Sequence, residues 1–340
     1  MKRATKGKQV EMEYFEVKNS LRENSETAGI NAESEAKIKT LAERLVKPTG
    51  VWVAPYPVIS SKRIKSVCLA LAATTPDEEE EVALVGVLLS LLLFALDDVA
   101  DGVAGSYSDA EIEQILACYA HIAADGQNLS QIRQSYPDLP YSDDQAWWQV
   151  AQALARFSQE LKNRPMAEPY YRFYARRFSL LMPSMVNENR WKLANLSSGN
   201  LPEFQVYLNN GQESIAFPTV MSGTLVAMGQ PTNWQYADLE PLLEKFTLCA
   251  GATVRLANDL RSYQREALEG KPNSVSILMG QGQSEKTTIE ELKALALDRL
   301  NQATAMIPAL PAPLVNWGEA VLRSAKFSYY FYLANEFHSY

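Results

Sequence analysis

From about residue 35 onward, apolar residues recur three and four positions apart, and this helical spacing persists to the end of the chain. It predicts helices over 35–45, 61–73, 77–103, 109–124, 143–163, 169–189, 202–209, 213–227, 237–269, 287–306 and 313–337. Strand signals are weak. Asn210-Gly211 runs into QESIAF and then Pro218, which reads as a helix junction, not a hairpin. The run 82–96, VALVGVLLSLLLFAL, is apolar on nearly every side. Between EEEE and DDVAD it is shorter than a bilayer span requires and reads as a buried central helix. Residues 1–36 are polar and mixed in charge, which predicts a mobile N-terminal tail. Residues 37–340 then form one all-α domain without internal repeats, packed around a buried helix that ends in acid.

Composition narrows the function. The 340 residues are 47% hydrophobic, enough for a large core, and the formal net charge of −8 argues against nucleic acid and against a polybasic membrane anchor. Cys68, Cys118 and Cys249 have no metal-ligand spacing and read as buried small apolar residues. His121 and His338 are the only histidines, which argues against a His-built zinc site and leaves any metal to be held by oxygen. The first thirty residues carry no apolar signal-peptide core, so a cytoplasmic location is expected.

Two polar stations interrupt the apolar pattern. In Phe94-Ala-Leu-Asp97-Asp98-Val-Ala-Asp101, helix geometry sets Asp97 and Asp101 about 40° apart on one face, with Asp98 beside them. Such carboxylates repel unless a cation joins them, and their hard oxygens suit Mg2+. The other reading is an acidic helix end on solvent, which the helix macrodipole disfavours. The second station is Arg255-Leu-Ala-Asn258-Asp259-Leu-Arg-Ser262-Tyr-Gln-Arg265-Glu266. Asn258, Ser262 and Glu266 stack at i, i+4 and i+8, either as an oxygen-only chelate or as a solvated helix face. The apolar LLEKFTLCAGATV before them favours an interior setting, and the arginines supply charge for an anion.

DDVAD followed by ND-x-x-S-x-x-x-E resembles the paired Mg2+-binding motifs of class I terpene synthases. The likeness covers roughly residues 45 to 335 and includes Asn187-Glu188-Asn-Arg-Trp191 and the stretch ending at Tyr207. It implies an all-α helical bundle around a central active-site cavity. It also implies three Mg2+ ions, with Mn2+ as a substitute, held by Asp97 with help from Asp98 and Asp101 and by Asn258, Ser262 and Glu266. Arg255, Arg265 and Tyr329 would bind the diphosphate of a prenyl diphosphate substrate. Phe94, Trp191 and Trp317 are candidate cation-facing aromatics. At the helix break before Pro218, freed carbonyls and the hydroxyls of Ser214 and Thr219 would stabilise positive charge.

Two departures qualify the resemblance. Gly211 stands where many bacterial members carry a diphosphate-sensing arginine, and Ser328-Tyr329 replaces their terminal Arg-Tyr pair, with Arg323 and Lys326 upstream. YLNNGQESIA and EGKPNSVSIL look closer to kaurene-synthase-like enzymes. That favours a C20 substrate, geranylgeranyl or copalyl-type diphosphate, over C15 farnesyl diphosphate, and a diterpene lyase activity. A copalyl-type substrate would come from a separate class II cyclase, because no DxDD motif occurs here. A homodimer is a further expectation. A chain-elongating prenyl synthase would need a second DDxxD where NDLRSYQRE stands, and squalene-type synthases would need paired DxxxD motifs. The alternative of a different class is a non-catalytic helical binding module.

Overall fold

The computed structural model describes residues 32–125, 129–165 and 167–334. Most of the predicted tail, and His338, lie outside the described residues. Thirteen α-helices follow in order among those described: α1 (Ala32–Val53), α2 (Ile64–Thr74), α3 (Glu80–Ala100), α4 (Asp109–Asp125), α5 (Leu129–Ser135), α6 (Ala146–Lys162), α7 (Ala167–Ser198), α8 (Phe204–Ser214), α9 (Phe217–Met228), α10 (Tyr236–Glu269), α11 (Ser274–Gly280), α12 (Glu285–Met306) and α13 (Val315–Ala334). Among the described residues there is no strand.

The all-round apolar character of α3 has the expected outcome: it packs against α1, α2, α6 and α9. Leu89 is fully buried there, and its truncation to alanine would cost about 2–5 kcal/mol. Gly86 permits the close approach of α2, since a Cβ there would stand 2.6 Å from Leu71 Cδ1. At 21 residues α3 is long and apolar enough to cross a membrane, which the shorter run 82–96 is not, yet most of it is covered by neighbouring helices. The 34-residue α10 packs on α8, α9, α12 and α13, and α7 packs on α4, α8 and α9. Of these three long helices, α3 and α10 hold the two polar stations and α7 carries Glu188.

The predicted helix over 213–227 is divided differently. α8 runs through Ser214, Ala216 takes the left-handed conformation at φ 59°, and α9 starts at Phe217. Pro218 has no N–H for the Ser214 carbonyl, so the ladder stops there. The helix predicted from residue 61 opens as a 3-10 turn, Ser61–Arg63, before α2. α7 continues well beyond residue 189, passing through Pro183 without ending.

Candidate active site

One cavity of about 250 Å³ is enclosed by α2, α3, α4, α7, the 214–217 break, α9, α10, the loop before α11, and α13. Along each long helix the lining changes in the same direction. On α3 it passes from Leu93 and Phe94 to Asp97 and Asp101, on α7 from Leu181 and Met185 to Glu188 and Lys192, and on α10 from Val254 to Asn258 and Glu266. The floor is therefore largely apolar, with Thr74, Ser90 and Ser324 among its apolar residues, and the charged groups gather at the rim on the later turns of three helices.

Asp97 faces the cavity, where burial raises its carboxyl to about 7, Asp101 adds to the rise and Lys271 opposes it. Asp101 caps α3 and accepts a hydrogen bond from Lys271 Nζ at 2.6 Å. Burial likewise raises Glu266 to about 7, with Asp259 adding and Arg255 opposing, while Asn273 Nδ2 donates to Glu266 Oε2 at 2.7 Å. Two carboxyls raised by burial thus line one cavity from different helices, Asp97 on α3 and Glu266 on α10, the latter with Arg265 Nη2 at 3.7 Å. Among the described residues no three His, Cys, Asp or Glu side chains converge at coordinating distance. The oxygen donors are instead divided between α3 and α10. This donor set, all oxygen and short of positive charge, fits Mg2+ shared with a ligand that supplies further oxygens.

Arg255 is held from three sides. Its Nη1 lies 2.9 Å from Glu188 Oε1, its Nε lies 3.0 Å from Asp259 Oδ1, and Nε and Nη2 both donate to the Tyr207 hydroxyl. Asp259 is fully buried and accepts from the Ser274 backbone N–H and hydroxyl at 3.1 and 2.6 Å. Burial opposes the Arg255 charge, but Asp259 and Glu188 hold it on. Gly211 makes room for this arrangement, since a Cβ there would stand 3.0 Å from Arg255 Cγ.

Several expected positions face elsewhere. Asp98 leaves the cavity and takes both Nη groups of Arg63, at 2.6 and 3.0 Å, so it is not placed to bind metal beside Asp97. Ser262 is fully buried, donating to the Asn258 carbonyl at 2.8 Å; it supports the station from behind the lining. Arg265 pairs with Glu269 at 2.8 Å and does not line the cavity. Tyr329 is buried edge-on against Tyr330, leaving the lining to Phe327, Ser328 and Tyr332 on the same helix. Trp317 packs on Phe246 and donates to the Met221 carbonyl, while Trp191 sits against Tyr207 outside the lining. Thr219 is buried, with its hydroxyl toward the Arg177 carbonyl at 3.4 Å. Phe94 and Ser214 do line the cavity, and the Ser214 hydroxyl donates to Glu188 Oε1 at 2.5 Å.

Glu188, Lys192 and Lys271 also line the rim, and residue spacing alone did not single them out. The available signal was the i, i+4 relation of Glu188 to Lys192, following Leu181 and Met185 on one face of α7.

The family profile "Terpene synthase family 2, C-terminal metal binding" matches residues 89–302, which include both stations. Ent-kaurene synthase-like 1 of Ricinus communis is 33% identical over 118 residues, covering 34% of this chain and 15% of that protein, so the chain matches only a small part of this relative's length. The structure of 2-methylisoborneol synthase from Streptomyces coelicolor, in complex with Mg2+ and geranyl-S-thiolodiphosphate, is similar with a TM-score of 0.67 and 17% identity, covering 86% of this chain and 91% of that one. Abietadiene synthase from Abies grandis also gives 0.67, at 16% identity, over 87% of this chain and 38% of that one. Because the profile spans more than half of the sequence, this chain belongs to terpene synthase family 2, the family defined by its C-terminal metal-binding region.

Proposed function

We propose that the chain is a Mg2+-dependent class I terpene synthase that ionises a prenyl diphosphate, releases pyrophosphate and cyclises the resulting carbocation. The observation that carries this reading is a cavity with a largely apolar floor and a rim lined by Asp97 and Asp101 from α3 and by Asn258 and Glu266 from α10. Bound Mg2+ would supply Lewis-acid charge to the departing pyrophosphate, held by Asp97 and Asp101 on one wall and by Asn258 and Glu266 on the other. The remaining chemistry belongs to the chain. Phe94, Phe217 and Phe327 line the cavity and would exclude water and stabilise a cation, with one face of Phe94 already taken by Arg63 at 5.0 Å. Arg255 and Tyr207 keep the Asn258 wall rigid through Asp259. The Ser214 carbonyl, without a donor from Pro218, adds a dipole at the break.

Likeness to the kaurene-synthase-like relative favours a C20 substrate, geranylgeranyl or copalyl-type diphosphate, and a diterpene product. A second reading has its own support. A volume of about 250 Å³, below the ~300–1,000 Å³ of common ligand pockets, favours a chain shorter than C20, such as C15 farnesyl diphosphate. Incubation with C10, C15, C20 and copalyl diphosphates in Mg2+, with pyrophosphate release and hydrocarbon products measured together, tests both. Absence of release from all four would sink the enzymatic reading and leave a helical binding module.

A further inference from the structure

An anion entering the rim meets four lining carboxylates, Asp97, Asp101, Glu188 and Glu266, and three lining cations, Lys192, Arg255 and Lys271. It also meets the later turns of three helices, where backbone carbonyls add negative potential. A diphosphate therefore needs cations that are not already spent. Arg255 is spent, since Glu188, Asp259 and Tyr207 surround its guanidinium. Arg265 and Tyr329 do not reach the cavity, and Gly211 has no side chain to offer.

The two lysines differ from these. Lys192 is the last lining residue on α7, one turn beyond Glu188 on the same face, and it has no hydrogen bond or ion pair among the described residues. Lys271 lies just past the end of α10, with Nζ 2.6 Å from Asp101 and 3.5 Å from Glu269. An ammonium has three N–H donors, so Lys271 can keep Asp101 and still serve an anion. One lysine thus projects from α7 and the other from the loop between α10 and α11, so two separate walls contribute.

We propose that Lys192 and Lys271 form a two-lysine clamp that contacts the diphosphate group directly, supplying the charge that the sensor-arginine position and the Arg-Tyr pair do not. The clamp rests on the proposed function for the identity of its ligand, but inorganic pyrophosphate alone is sufficient to probe it. Pyrophosphate is titrated calorimetrically into the full chain, in Mg2+ and again in EDTA, for wild type, Lys192→Ala, Lys271→Ala, the two Lys→Arg variants and the exposed control Lys286→Ala. Each alanine variant is expected to raise Kd about tenfold in both buffers, with arginine restoring most of the affinity and the control unchanged. A loss for Lys271→Ala seen only in Mg2+ would make Lys271 a positioning residue for Asp101 and overturn its place in the clamp. Wild-type affinity in both alanine variants, or a wild type that fails to bind pyrophosphate, overturns the proposal. If an alanine variant does not fold, the arginine variant and a Lys→Met variant at the same position carry the test. Wild type that binds pyrophosphate through these lysines yet releases none from any prenyl diphosphate would defeat the proposed function and leave the clamp standing.

Discussion

Gly211 on α8 lies flat against the Arg255 side chain on α10: a Cβ at this glycine would be 3.0 Å from Arg255 Cγ and 3.1 Å from its Nε. The missing side chain and the buried arginine are therefore one arrangement. The space that a residue at 211 would occupy holds the guanidinium that ties Tyr207, Glu188 and Asp259 together. Gly211→Ala should displace Arg255 and lower stability by about 1–3 kcal/mol, the usual cost of overfilling a packed core. Gly211→Arg should be worse still, by adding a second buried cation, and should not restore a sensor. Urea denaturation of both variants checks this; a stable, more active Gly211→Arg protein would contradict it.

Asp97→Ala and Glu266→Ala should each abolish turnover while the protein stays folded. Each removes a carboxylate that burial and neighbouring acids already disfavour, so thermal stability should hold or rise. If they hold metal as proposed, loss of either group should cost at least about a hundredfold in kcat. Near wild-type turnover at saturating Mg2+ in either variant would remove that residue from the site.

The same two carboxyls set a pH dependence. Both sit at about 7 in the folded chain, above their ordinary values of 3.8 and 4.5. A raised carboxyl holds its proton longer in the folded than in the unfolded state. Its contribution is therefore complete below the unfolded value and is lost as pH rises toward 7. In EDTA the melting temperature should fall as pH increases over that window, and Asp97→Asn should flatten the slope. Mg2+ favours the ionised forms, so the melting-temperature gain on adding it should be larger at pH 8 than at pH 6. Equal gains at the two pH values would contradict this assignment.

How much of this was legible beforehand depended on how local each cause is. The central helix followed from an apolar run with no polar face, and the two stations from carboxylate, amide and hydroxyl spacing along single helices. Asp98 was misread because its partner, Arg63, comes from a 3-10 turn 35 residues earlier, and no spacing rule reaches that far. Trp191 and Trp317 were misplaced for a related reason. A large aromatic on a helix satisfies a cavity wall and a core equally well in sequence, and the rotation of the helix decides between them. The left-handed Ala216 had no signal at all, because alanine carries no turn preference and only the adjacent Pro218 marked a junction.

The break also decides where product specificity can be altered. Thr219 and Val220 are neighbours at the start of α9, yet Val220 lines the cavity and Thr219 turns to the Arg177 carbonyl. Arg177 is itself fully buried, paired with Glu213 and Glu244 at 2.9 Å each, so the outer side of the break is a packed ionic cluster. With its hydroxyl turned away from the cavity, Thr219 is not placed to stabilise a cation there, and Thr219→Ile should instead crowd this cluster. It should lower stability by about 1–3 kcal/mol while leaving product ratios unchanged in the folded fraction. Val220→Phe should do the opposite. It adds volume to a cavity of about 250 Å³, restricts the fold of the reacting chain, and so should shift the product mixture more than total pyrophosphate release. Product profiles by gas chromatography, normalised to pyrophosphate released and read beside melting curves, separate the two effects. A product shift in Thr219→Ile with none in Val220→Phe would mean that the lining of the break is the reverse of the one described.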